Sequence, residues 1–291
     1  LVFTNEPSTQ EAPLSTESGG LPEQPLNEPL EPVASAQSAR DLPWIKLLIA
    51  IATWFGSVLL LLFVPAIIAI PYLVYLWRIH ALPNAQALTS DKTFIFISIA
   101  GIVPTHLLTL LLVWIVVTEG RKRPFWKTIG FEWPTPVKPV LGMLVCFLIA
   151  IVLLGIGFAV TSFWGGGKTQ LDMLVESSIA ARLATAFVAV FTAPLVEELV
   201  YRGVLYSAIE RALGTGVAIA AVSLLFAGVH VFQYVNNLSV ITVITLLSIT
   251  LTLVRAYSGK VLPSFMIHLV FNGIQSIIIA LSPFTGWGES S

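Results

Sequence analysis

"LLIAIATWFGSVLLLLFVPAIIAIPYLVYLW", residues 47–77, carries no charged side chain and is broken by two prolines, Pro65 and Pro71. A bilayer's hydrocarbon core takes roughly 17–25 apolar helical residues to cross, so this stretch reads as membrane-spanning. It is either one long kinked helix or a helix followed by a short second pass. The whole chain agrees with that reading. Of its 291 residues, 56% are hydrophobic and 11% charged, with a mean hydropathy of +0.88. A soluble domain carries about a quarter charged residues, so this much apolar surface cannot be hidden in a water-soluble core. The net charge of −1 gives nucleic acid no footing.

Further apolar runs cover residues 94–118, 139–164, 183–206 and 261–281. Residues 212–254 are uncharged if His230 is neutral and too long for one pass, and "QYVNN" at 233–237 reads as a turn between two. The expected fold is therefore all-α, a polytopic transmembrane helix bundle of about seven spans, with an eighth if the first run divides. Residues 1–41 hold six prolines, seven acids and no cation before Arg40, the composition of a disordered tail, and no pattern of a cleavable signal peptide. Residues 42–178 are read as N-terminal transmembrane helices and 283–291 as a C-terminal tail. With seven spans and a cytoplasmic N-terminus, the cytoplasmic side collects Arg40, Lys46, Arg121, Lys122, Arg123, Lys127, Lys138, Arg211, Arg255 and Lys260. Only Arg78, Lys92, Lys168 and Arg182 fall opposite, which is the positive-inside pattern. The single cysteine, Cys146, lies in an apolar run and reads as a buried structural thiol. No strong helix-dimer signal is present, and the oligomeric state is not legible.

Against this background "PLVEELVYRG", residues 194–203, is anomalous. Each ionisable group inside a span costs about 2.5–3.5 kcal/mol on insertion scales, so these charges must face protein or a water-filled cavity. Glu198 and Arg202 are i and i+4 with the acid first, the favoured order for an ion pair on one helix face. Glu197 is rotated by roughly 100° and has no such partner. Pro194 leaves a carbonyl unpaired and can open the helix to water. Elsewhere, Phe226 and His230 in "FAGVH" are i and i+4, as are His268 and Asn272 in "HLVFN". His106, in "VPTHLL", reads as a packed histidine. From the residues alone, the charge cluster is either a structural lock between helices or part of a site. In the second case a glutamate and a histidine deprotonate water while a histidine and an amide donate to an oxyanion.

"EELVYR", "FAGVH" and "HLVFN" fit EExxxR, FxxxH and HxxxN in the order found in the CAAX protease and bacteriocin-processing family. This family of intramembrane endopeptidases includes abortive-infection-like proteins and the Ras-converting prenyl-protein proteases, and the resemblance covers about residues 180–282, within a catalytic core read as 179–282. It implies a catalytic transmembrane core with a water-accessible cavity. Within it Glu197 and His230 would activate water, His268 and Asn272 would stabilise the oxyanion, and Glu198, Arg202 and Phe226 would support them. The substrate would be a peptide, a membrane-associated protein or a prenylated protein, and the location the plasma membrane if the source is bacterial. Such proteins are often labelled metalloproteases, and Glu197, His230 and His268 would suit zinc. With no HExxH pair, water activated by glutamate without an obligatory metal is the favoured reading. The competing readings are a non-catalytic bacteriocin-immunity protein that binds a membrane peptide, and a proton-coupled transporter.

Overall fold

The computed structural model describes residues 42–285 apart from 166, 168, 232, 233, 235 and 236. The N-terminal tail, most of the 233–237 turn and residues 286–291 lie outside the described residues. Every regular element within them is helical. Helix α1 (Pro43–Arg78) is a single helix that keeps Pro65 and Pro71 inside it, so the first run does not divide into two passes. The short α2 (Ala85–Leu88) leads to α3 (Lys92–Ala100) and α4 (Ile102–Thr118), which meet at Gly101 and together make one span. A Cβ on Gly101 would stand 2.9 Å from Pro65 Cα, so the glycine lets the α3–α4 junction lie against the proline of α1. Next come α5 (Phe125–Ile129), α6 (Pro139–Trp164) and α7 (Gln170–Ser177), the last opened by a Thr169–Asp172 capping box.

The fourth long span, Ile179–Leu213, changes pitch twice. It comprises α8 (Ile179–Phe187), a π-helical turn at Val188–Thr192, α9 (Ala193–Glu198), a second π-helical turn at Leu199–Leu205, and α10 (Tyr206–Leu213). Helices α11 (Thr215–Val231), α12 (Leu238–Ser258) and α13 (Leu262–Thr285) complete the bundle. Among the described residues, six helical segments are long and apolar enough to cross a membrane, and α11, at 17 residues, is a shorter apolar helix beside them. The protein is an integral, multi-pass membrane protein. About seven passes are obtained if α11 is one of them.

Outward-facing Phe55, Leu62, Val140, Val152, Phe158 and Phe163 on α1 and α6 are exposed, the surface a bilayer would cover. Inside, one cluster joins Leu47 and Ala50 of α1, Val113 of α4, Val222 and Phe226 of α11 to the second π turn, all seven of whose residues are buried. Another packs Cys146 and Ala150 of α6 against Leu251 of α12 and Ile267 of α13. Cys146 is buried there, as expected. At one end, Val261 N–H donates to Gly130 O (2.9 Å) and Lys260 pairs with Glu132, tying the α12–α13 turn to the segment after α5.

Candidate active site

The polar residues of the fourth span gather between two irregular turns. Pro194 sits at the start of α9, where its missing N–H costs no helical bond, and the preceding π turn absorbs the break. The two glutamates that follow then part company. The Glu198 side chain is 0% exposed, whereas that of Glu197 is 24% exposed.

Glu198 is the centre of a buried polar clasp. Its Oε1 accepts from Arg202 Nη1 at 3.0 Å and from His268 Nδ1 at 3.0 Å. Arg202 Nη2 donates to Ser248 O at 3.1 Å, to Ser248 Oγ at 3.3 Å and to Thr252 Oγ1 at 3.4 Å, so α12 closes round the guanidinium. The guanidinium carbon lies 4.5 Å from the centroid of the Phe226 ring, a cation–π stack. In the second π turn, the Arg202 carbonyl accepts from Arg255 Nε at 3.0 Å. Arg255, counted above among flanking cations, is thus itself buried. The i,i+4 pairing read from "EELVYR" is present, and it is one edge of a larger network.

His268 lies between the two acids. With Nδ1 on Glu198, its Nε2 is 3.7 Å from Glu197 Oε2. Asn272, one turn on, donates from Nδ2 to Ala189 O at 3.0 Å, in the first π turn. His230 Nδ1 donates to Phe226 O at 2.7 Å; a carbonyl can only accept, so Nδ1 bears a proton, and in the neutral ring Nε2 carries the lone pair. The Phe226 ring is 4.8 Å from the His230 ring and 5.9 Å from that of His268, which makes it the apolar floor shared by both histidines and Arg202.

A pocket of about 360 Å³ opens on Glu197 and His230. Leu61 and Ser57 of α1, Thr105, His106 and Thr109 of α4, and Tyr201 of the second π turn complete its wall. His268 and Asn272 are not among its lining residues, so the structure brings the four predicted residues into one region but two of them onto the pocket surface. His106, read from sequence as a packed, hydrogen-bonded histidine, is buried and 2.8 Å from Thr192 Oγ1 through Nδ1, and it also borders that surface. Its neighbours Thr105 and Thr109 make a polar strip in an otherwise apolar span, the signal that could have marked it.

A metal is a separate question. Among the described residues no three His, Cys, Asp or Glu side chains are grouped as a metal site. Glu197, His230 and His268 have the right donor chemistry for zinc, with His268 Nδ1 on Glu198 and its Nε2 3.7 Å from Glu197 Oε2, though His268 does not line the pocket.

Residues 179–274 match the family described as Rce1-like, type II CAAX prenyl endopeptidase. The match begins at the first residue of α8 and includes both π turns and Glu197, Glu198, Arg202, His230, His268 and Asn272, while α1 and α4 lie outside it. No curated protein and no solved structure matches the chain. Over residues 179–274 the chain is thus similar to the Rce1-like type II CAAX prenyl endopeptidases.

Proposed function

We propose that this protein is an intramembrane endopeptidase that hydrolyses a peptide bond in a membrane-associated or prenylated substrate, using water activated by Glu197 and His230. The observation that carries the reading is the division of the adjacent glutamates: Glu198 is sealed and paired, while Glu197 opens on a pocket shared with His230. A water held between the Glu197 carboxylate and the His230 Nε2 lone pair loses its proton to the carboxylate as its oxygen attacks the carbonyl carbon. A positioned base of this kind contributes about 10²–10⁴-fold.

The oxyanion falls to His268 and Asn272. His268 keeps Nδ1 on Glu198 and turns Nε2 toward Glu197, from where an Nε2–H would meet the oxyanion. One Asn272 Nδ2 hydrogen holds Ala189 O, leaving the second for the substrate. Each such donor is worth about 10²–10³-fold. The domain division at residues 42–178 and 179–282 follows from this reading, with Glu197, His230, His268 and Asn272 in the second part. The experiment that tests it is turnover by Glu197→Gln; a non-catalytic peptide-binding or immunity protein would keep its protective function in that variant.

No step needs an ion. Rigorous chelation of the purified protein is expected to leave cleavage of its substrate intact, measured before and after add-back. Activity that vanishes and returns only with zinc would replace the glutamate mechanism by a metal one.

The lysine and arginine bias supports a cytoplasmic N-terminus, with "GRKRPFWK", residues 120–127, on the same side. Reporter fusions after residues 41 and 121 are expected to report the cytoplasm for both. A signal from the opposite side at either point would invert the topology.

A further inference from the structure

The first two long spans, α1 and α3–α4, bring four polar side chains to the pocket, and three of them are occupied locally. Ser57 Oγ donates to Trp54 O (2.6 Å), Thr105 Oγ1 to Gly101 O (2.9 Å) and Thr109 Oγ1 to Thr105 O (3.0 Å), each within its own span. His106 is the exception. Its Nδ1 lies 2.8 Å from Thr192 Oγ1, and that hydroxyl donates in turn to Val188 O at 3.2 Å. A hydroxyl whose one proton goes to a carbonyl can only accept from the ring, so Nδ1 carries a proton and Nε2 is left for another partner. Among the described residues Nε2 has no hydrogen-bond partner, and the residue lines the pocket with Glu197 and His230.

We propose that His106 is a further catalytic residue: its Nε2 engages the nitrogen side of the scissile amide and protonates the departing amine. The proposal rests on the endopeptidase reading above. Hydrolysis gives the water's hydroxyl to the acyl carbon and one proton to Glu197, while the carbonyl π pair moves to oxygen. Glu197 passes that proton to the Nε2 lone pair of His106. As the intermediate collapses, the oxygen pair re-forms the C=O bond, the C–N bond breaks and its electron pair takes the proton from Nε2, leaving a carboxylic acid, an amine, and Glu197 and His106 as they began. Glu197 and His230 are spent on the water, whereas His106 enters from a different helix, α4, outside the residues that carry the family match. Thr192 suits this role because it accepts from Nδ1–H in both charge states of the ring, holding it still while Nε2 cycles. The titratable groups that share the pocket with His106 are Glu197, Tyr201 and His230, and α1 adds only the neutral Ser57 to its polar wall.

The test compares the full-length wild type, Glu197→Gln, His106→Gln, Thr192→Val and Thr192→Ser. Mass spectrometry of membrane peptides from expressing cells first defines products that require Glu197. A synthetic peptide spanning that cleavage site is then turned over by the purified proteins across pH, with thermal unfolding of each variant alongside. His106→Gln is expected to lower kcat by about 10²-fold or more with little change in KM, and to remove one limb of the pH profile. Thr192→Val should lose a smaller part of kcat, and Thr192→Ser, which keeps the hydroxyl, should recover it. Glu197-dependent cleavage at wild-type kcat and with the wild-type pH profile in His106→Gln overturns this inference alone. The same holds if that variant loses activity only in proportion to lost folded protein. The absence of any Glu197-dependent product overturns the endopeptidase reading and this proposal with it.

Discussion

Glu197→Gln is expected to lower turnover by about 10²–10⁴-fold while leaving the fold intact. The amide keeps the shape of the carboxylate, the side chain is partly exposed, and buried His268 keeps its hydrogen bond to Glu198. The only ion-pair contact Glu197 makes among the described residues is the 3.7 Å approach to His268 Nε2, too long for a hydrogen bond. What the variant loses is the ability to accept a proton. Single-turnover cleavage and thermal unfolding of the same preparation check both halves of this expectation.

Arg202→Met should behave in the opposite way, through stability first. It leaves the fully buried Glu198 carboxylate without its cation, and removing one partner of a buried pair costs about 3–5 kcal/mol. It also releases Ser248 and Thr252 of α12 from the π turn. The double variant Glu198→Gln/Arg202→Met removes both charges and should recover much of the loss, since a buried pair replaced as a unit is often near neutral. Unfolding of the single and double variants, followed in one detergent, measures the coupling. A single variant as stable as the wild type would mean that the pair holds nothing together.

The sequence made much of this legible because bilayer crossing and i,i+4 spacing are local rules. The apolar runs at 47–77 and 139–164 lie within α1 and α6, and Glu198–Arg202 pairs as its spacing requires. Long-range partners were not legible. His268 reaches Glu198 across 70 positions, and His106 reaches Thr192 across 86. No periodicity encodes such contacts; they follow from how α4, α9 and α13 pack. The two π turns were hidden for a related reason. They reset the phase of the fourth span, and neither "VAVFT" nor "LVYRGVL" has the composition of a helix break. Gly203 shows the tertiary cause in part: a Cβ there would meet Ile129 Cγ1 at 2.6 Å, so α5 lies directly on the second π turn.

The division of labour between two adjacent acids is the claim on which the rest depends. It is tested most directly by measuring turnover and unfolding midpoint together for Glu197→Gln and Glu198→Gln. The account predicts that Glu197→Gln unfolds at the wild-type midpoint without cleaving. Glu198→Gln, deprived of a charge that Arg202 and His268 share, should unfold earlier. A Glu197→Gln protein that cleaves at the wild-type rate would contradict it.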